Sequence, residues 1–186
     1  MPVNMPTHGH GQGYTDLNFL IPELVQRIDY RKGPYFATHG DFASAGAADV
    51  TYRQKLDAPL AQLSLGENGY RRGVFGVSSS SPGGGQWLAA LEVMNNDGPW
   101  TVPQRVRKSN GLLSWSRGTA TEGFSASLMG YEAHWRSTDQ IPQRLIDGGR
   151  YQGQPFGRFD NLDDSDGGRT ARWSLSGQWY RNDESG

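Results

Sequence analysis

Cysteine is absent from this chain of 186 residues, and so are long apolar runs and an excess of charge of one sign. Without cysteine there is no disulfide scaffold, no thiolate metal site and no thiol nucleophile, although the compartment stays open. Lysine and arginine number 18 against 19 aspartates and glutamates, which argues against nucleic-acid binding driven by charge. No apolar run approaches the ~20 residues of a membrane-spanning helix. A transmembrane β-barrel is still compatible with the sequence, because its strands alternate apolar and polar residues.

Catalytic motifs are lacking too. The chain has no phosphate-binding Walker loop, no Gly-x-Ser-x-Gly and no His-Glu-x-x-His. His39 and His134 stand alone in the sequence, and we expect structural or solvent-facing roles for both. The sequence therefore predicts a protein that is not an enzyme.

What the chain does contain is glycine, with 26 residues, together with 10 prolines and 11% aromatic residues. This composition is typical of many short strands joined by tight turns. Residues 1–57 differ from the rest: they carry a glycine-rich loop at 7–14 and a helical turn predicted at about 22–25, where Pro22 suits the first turn. Strands are predicted in this region at 25–31 and 48–55.

Residues 58–186 are predicted to form β-hairpins. Asn68-Gly69 supplies the positive φ angles that a tight hairpin turn needs. One loop of roughly thirty residues, at about 137–168, exceeds what a compact domain usually carries without a function. The predicted strands cover 60–66, 70–79, 86–95, 106–117, 122–136 and 169–181.

Strand length and residue alternation are compatible with a membrane barrel. Several predicted strands reach the ~9–11 residues that a tilted strand needs to cross the hydrocarbon. Leu63 and Leu65 fit an outward apolar stripe, whereas Glu92 fits a wet interior. The six tryptophans lie near strand ends, as in aromatic girdles, but they would equally fill the core of a soluble sandwich. The residues alone leave these two architectures open.

The N-terminal region carries a resemblance to a known family. Residues 4–14 and 16–37 look like the C-terminal half of the plug domain of TonB-dependent outer-membrane receptors. The pattern Val25-x-Arg27-Ile28-Asp29-x-x-x-Gly33-Pro34 is similar to a plug strand of that family, and residues 40–51 resemble the segment that follows it. Lys32 stands where the family usually has arginine, and lysine lacks the planar guanidinium fork.

The resemblance implies a mainly β fold: a partial transmembrane antiparallel β-barrel of about six strands, with a small α+β plug segment at the N-terminus. Residues 1–57 would be the C-terminal part of the plug, and residues 58–186 the first hairpins of the barrel. The chain would then be an internal fragment of a receptor in the outer membrane of a Gram-negative cell. Such receptors take up a scarce nutrient with energy supplied through TonB, whose contact segment would be absent from this chain. The implied ligand is a small molecule or metal complex, such as a siderophore, cobalamin or a sugar, and outer-membrane lipid is the expected surrounding.

The same resemblance implies which residues serve the function. The glycine-rich loop would lie at the plug apex, where substrate contacts are expected. The plug strand would be held to the barrel wall by ion pairs, because charges inside a lumen need partners. Two imidazoles on flexible backbone could also ligate a metal, but alone they make an incomplete site. The expected substrate-binding residues are His8, His10, Gln12, Tyr14 and Asp16, and the expected pairing residues are Arg27, Arg31 and Lys32.

Two further hypotheses stay open. The acidic run from Asp160 to Asp166 invites a calcium site, but its spacing departs from the regular Asp-x-Asp-x-Asp-Gly pattern, which favours a solvated loop. The chain could instead be a soluble all-β ligand-binding or carbohydrate-binding module, with aromatic strands as a sugar platform. That reading explains the tryptophans but leaves the plug-like stretch without a role.

Overall fold

A computed structural model describes residues 3–5, 14–40, 43–119, 121–137 and 140–182. The chain is mainly β, and all of its sheets are antiparallel, which confirms the coarse fold class. The described strands make an open six-stranded sheet, a two-stranded sheet and one very short hairpin. A closed barrel is not formed by them.

The six strands of the large sheet follow one another as a meander, interrupted only before the last strand. Each of the six lies close to a strand predicted from the sequence, so those predictions are confirmed. Two further strands precede them and pair only with each other. The elements are β1 (Val25–Lys32), β2 (Gly46–Tyr52), β3 (Leu60–Leu65), β4 (Arg71–Ser80), β5 (Gln86–Asn96), β6 (Val106–Gly118), β7 (Glu122–Arg136), α1 (Gln143–Gly148), β8 (Arg150–Tyr151), β9 (Gln154–Pro155) and β10 (Gly167–Arg181).

The turn between β3 and β4 forms as its residues dictate. Asn68 and Gly69 have φ angles of 54° and 71°, the left-handed pair that a two-residue hairpin turn requires. A side chain at Gly69 would be strained by this φ angle, and its Cβ would lie 2.7 Å from a carboxylate oxygen of Asp97, which would have to move. The predicted helical turn also forms, as a 3-10 turn at Pro22–Leu24.

Alternate residues of the large sheet point to opposite faces, which we call the inner face and the outer face. The inner face is the one that carries Val74, Leu88 and Leu112, all buried, and the outer face carries Phe75, Leu91 and Leu113, all exposed. Neighbouring strands keep each face in register. One outer row runs Phe75, Leu91, Gly111, Gly130 and Trp173, and the inner row beside it runs Val74, Glu92, Asn110, Tyr131 and Arg172.

The described residues from 14 to 56, here called the N-terminal unit, pack on the inner face. Ile21 and Leu24 are buried in one cluster with Val74, Leu88 and Leu112 of the sheet. Each such aliphatic side chain contributes about 1.5–3 kcal/mol when it leaves water. The predicted domain boundary after residue 57 lies in the segment that connects Tyr52 to Leu60.

The long connection between β7 and β10 is more structured than the predicted loop. It contains α1 and the β8–β9 hairpin, and α1 ends where Gly149 adopts the left-handed conformation that caps helices. The loop at 97–105 contacts it at the same end of the sheet: the Thr101 hydroxyl donates to Asp160 over 2.6 Å. The rings of Trp100 and Phe159 lie 6.0 Å apart. We call this end the loop end.

Candidate functional site

The loop predicted to contact substrate is only partly within the structure. His8, His10 and Gln12 lie outside the described residues. Tyr14 pairs its backbone with Met5 through two hydrogen bonds of 2.8 and 3.0 Å, so the chain before and after residues 6–13 is held together. Asp16 accepts two hydrogen bonds of 2.8 Å from Asn18 and lies beside the hydroxyl of Tyr131 on β7. The base of the loop therefore rests on the inner face of the large sheet.

The three residues expected to pair with a barrel wall lie on β1 and are exposed. Arg27 forms an ion pair of 2.6 Å with Asp29 on its own strand. The Arg31 guanidinium lies 4.6 Å above the centre of the Phe36 ring. Lys32 lies opposite Gly46 of β2. Within the described ranges, no ion pair or side-chain hydrogen bond joins Arg27, Arg31 or Lys32 to the six-stranded sheet.

The ion pair between the N-terminal unit and the sheet uses other residues. Arg72 of β4 donates two hydrogen bonds to Glu23, over 2.5 and 2.9 Å, in a bidentate pair. Arg72 also donates to Glu92 of β5 over 2.6 Å, and Lys108 of β6 lies 3.0 Å from the same Glu92 oxygen. Two cations thus balance two carboxylates, which we call the charged contact. It lies on the inner face, near the loop end.

The side chains of the charged contact are largely removed from water. Glu92 has no exposed surface, and the side chains of Arg72 and Lys108 are each only 12% exposed. A charge removed from water is tolerated only with close partners, and loss of one partner leaves the others uncompensated. Asn110 adds a hydrogen bond of 2.5 Å to Glu92 and donates to the backbone oxygen of Asn18 over 3.0 Å, so a second inner-face side chain reaches the N-terminal unit.

The charged contact changes the pKa of Glu23. Its hydrogen bonds from Arg72 hold the pKa of the Glu23 carboxyl below its ordinary value of 4.5, against the opposing effect of burial. Glu23 lies in the short helical turn at Pro22–Leu24. Its partner lies 49 residues away, a separation over which residue alternation gives no information. The inward position of Glu92, by contrast, was predicted and is confirmed.

The outer face is apolar and open to its surroundings across all six strands. Leu63 on β3 is 73% exposed, Trp173 on β10 is 76% exposed and Leu175 is 81% exposed. Aromatic residues make a row at the end of the face opposite the loop end. Its members on neighbouring strands are Trp87, Trp115, Phe124 and Trp179.

The tryptophans therefore divide between three positions. Trp87, Trp115, Trp173 and Trp179 lie on the outer face. Trp135 packs with the inner cluster around Phe19, and Trp100 lies in the loop at 97–105. Four of six thus belong to the surface that no described element covers.

A cavity separates the N-terminal unit from the inner face of β7 and β10. Its volume is about 610 Å³, and hydroxyl and amide groups line the sheet side: Ser125, Ser127, Ser176 and Gln178. The hydroxyls of Ser127 and Ser176 lie 2.8 Å apart. Charged groups contribute little to this cavity, which offers neutral hydrogen-bonding partners.

The acidic run in the long loop uses its carboxylates to fix the loop. Asp160 accepts hydrogen bonds from the Thr101 hydroxyl and the Gly157 amide, which lower its pKa, and Ser165 does the same to Asp163. In the part of the chain that the structure describes, no three histidine, aspartate or glutamate side chains are grouped so as to hold a metal ion.

No helix in the described ranges has the length and apolar character needed to cross a membrane. Comparison of the chain with models of protein families, with characterised proteins and with solved structures produced no match. Inferences about function therefore depend on the faces of the sheet and on the residues between the sheet and the N-terminal unit.

Proposed function

We propose that this chain is part of a TonB-dependent outer-membrane receptor for energy-coupled uptake of a scarce nutrient, such as a siderophore, cobalamin, a metal complex or a sugar. The six-stranded sheet would be an arc of the barrel wall, and the N-terminal unit the C-terminal part of the plug. One observation carries the proposal: a single sheet has one face that is apolar and exposed, and another that mixes apolar residues with polar and charged ones and is covered by a small unit.

The outer face has the dimensions of a lipid-facing band. Six strands at about 4.8 Å spacing give a width of about 24 Å. The apolar residues extend about 20 Å along β5, from Trp87 to Val93, and about 27 Å along β10, from Ala171 to Trp179, at about 3.4 Å per residue. Barrel proteins show an apolar band about 25 Å tall. A soluble monomer rarely exposes so large an apolar patch.

The inner face has the chemistry expected of a plugged lumen. Serine, asparagine and charged residues alternate with the outer apolar ones on the same strands. The charged contact between Glu23, Arg72 and Glu92 ties the N-terminal unit to the sheet with hydrogen bonds.

Loop placement supports an orientation. The connections at 97–105 and 137–166 share the loop end, whereas the turns at 81–85 and 119–121 at the opposite end are short. Outer-membrane barrels carry long loops outside and short turns on the periplasmic side. The loop end would face the exterior, and Asp16 and Tyr14 lie towards that end, where a ligand would arrive. They remain our candidate ligand contacts together with His8, His10 and Gln12.

Lipid with brominated acyl chains tests the proposal, because bromine quenches tryptophan fluorescence on contact. We expect such lipid to quench most of the emission of the chain reconstituted in vesicles. Trp173→Phe should reduce the quenched fraction, because Trp173 lies on the outer face. Trp135→Phe is the matched control and should slightly raise that fraction, because it removes emission that the lipid does not reach. Equal effects of the two substitutions would remove the lipid-facing assignment.

The alternative is a soluble all-β ligand-binding or carbohydrate-binding module. The hydroxyl-lined cavity of about 610 Å³ favours it, because neutral hydroxyls and amides suit a polyhydroxylated ligand. This alternative predicts that the chain stays monomeric in buffer without detergent and melts cooperatively. It also predicts that brominated lipid leaves the tryptophan emission intact.

A further inference from the structure

A second cavity, of about 540 Å³, lies on the outer face at the loop end. Three arginines line it: Arg71 on β4, Arg105 just before β6, and Arg107 on β6. Arg71 and Arg107 lie on either side of Asn95 in one row across β4, β5 and β6. With strands about 4.8 Å apart, the two arginine backbones are about 10 Å apart.

Among the residues that the structure describes, none pairs with these guanidinium groups. In the described ranges, Arg71, Arg105 and Arg107 form no ion pair and no side-chain hydrogen bond. Asp97 also lines the cavity, so three positive charges and one negative leave two positive charges in excess. Beyond Arg107 in the row lies His134, while Arg169 is already paired with Glu132 at 2.6 Å.

The backbone holds Arg105 in an unusual conformation. Its φ is 49°, the left-handed region that costs a residue other than glycine about 1–2 kcal/mol. The preceding residue, Gln104, is fixed on both sides: its amide donates to Asp97 over 2.8 Å, and its carbonyl accepts from Arg136 over 2.7 Å. The loop therefore fixes the backbone from which a third arginine lines the cavity formed by the strand residues.

The cavity borders the apolar band directly. Asn95 lies two residues from Val93, which is exposed on the outer face, and Arg71 lies four residues from Phe75. A ligand bound by the arginines would thus have apolar surface immediately beside it. A phosphorylated headgroup attached to acyl chains has this combination of groups, with phosphate oxygens for the guanidinium donors and hydrocarbon for the band.

We propose that Arg71, Arg105 and Arg107 form a binding site for the phosphorylated headgroup of a membrane lipid in the leaflet at the loop end. The inference rests on the proposed function, because it takes the outer face to be in contact with lipid. It adds a defined anionic contact at the rim of the apolar band, separate from the ligand loop and from the charged contact on the inner face.

The test compares two kinds of vesicle, one of phosphatidylcholine alone and one of phosphatidylcholine with phosphatidic acid. The full chain should bind the second more tightly. Arg105→Gln should reduce that preference about fivefold, since a basic residue near an anionic surface contributes about 1 kcal/mol. Arg71→Gln, in a regular strand, should do the same and guards against misfolding of the loop variant. Arg117→Gln, on the outer face at the opposite end of β6, is the matched control and should retain the preference.

The outcomes separate the two proposals. Binding to phosphatidylcholine vesicles alone tests the lipid-facing sheet, independently of the arginines. An equal loss of preference in Arg105→Gln and Arg117→Gln would overturn the site, because the attraction would then be general. The site would also be overturned if millimolar inorganic phosphate abolished the preference, so that the chain bound both kinds of vesicle equally. The arginines would then bind soluble phosphate rather than a lipid headgroup.

Discussion

The two faces of the six-stranded sheet are built from alternate residues of the same strands, yet they are opposite in character. Leu175 is 81% exposed on the outer face, and its neighbour Ser176 lines the inner cavity. Glu92 is fully buried between Leu91 and Val93, which are both exposed. The inner face also buries apolar side chains such as Leu88, but the open face, which a protein in water would make polar, is the apolar one. This difference between the faces supports the proposal that lipid lies against the outer face and a plug against the inner face.

The largest expected effect comes from breaking the charged contact on the inner face. Arg72→Met would leave Glu23 and Glu92 without their main cation, at a cost of about 3–5 kcal/mol. We expect the N-terminal unit to become sensitive to proteolysis and the urea midpoint to fall, measured in detergent micelles. Arg71→Met changes the adjacent residue on the outer face and is the matched control. Similar losses in the two variants would contradict the distinction between the faces.

A charge placed on each face in turn sharpens the comparison. Leu128 and Ser127 are neighbours in the middle of β7, with Leu128 exposed on the outer face and Ser127 beside the cavity. In a bilayer, Leu128→Arg should destabilise the folded chain by about 2–4 kcal/mol, because arginine would lie near the membrane midplane. Ser127→Arg should cost less, because under the proposed function the cavity beside Ser127 contains water. Unfolding in vesicles by urea measures both, and the opposite ranking would count against a lipid-facing outer surface.

A smaller effect should follow from pH. The pKa of Glu23 is lowered in the folded state by Arg72, so its contribution to stability is fully present above the ordinary value of 4.5. That contribution is lost as the pH falls through the lower folded-state pKa. Glu23→Gln should remove about 1–2 kcal/mol at neutral pH, and its stability should be less dependent on pH in the acid range. Parallel stability profiles of the two proteins would show that the Glu23 pair contributes nothing.

Residue alternation and turn residues together were enough to predict most of the large sheet. The six strands, the Asn68-Gly69 turn and the inward position of Glu92 all follow from period-two patterning and turn chemistry. Such patterning assigns a residue to a face because the side-chain period of a strand is two. It carries no information on which residue of a distant segment lies opposite.

The contacts between the N-terminal unit and the sheet could therefore not be predicted from the sequence. The resemblance implied that Arg27, Arg31 and Lys32 pair with the barrel wall. The ion pair described between the N-terminal unit and the sheet instead joins Glu23 to Arg72. The helix α1 was also missed, although Gly149 after a short amphipathic stretch is a recognisable end signal. The arginine cavity depends on three strands and one loop meeting in space, which only the structure supplies.

The central claim is that lipid covers one face of the sheet and water reaches the other. Because the chain has no cysteine, single substitutions give unique labelling sites. Leu175→Cys and Ser176→Cys place a thiol on each face at neighbouring positions of β10. In vesicles, a membrane-impermeant maleimide should label Ser176→Cys and leave Leu175→Cys unreacted, while both should react fully in denaturant. Faster labelling of Leu175→Cys than of Ser176→Cys in vesicles would contradict the account.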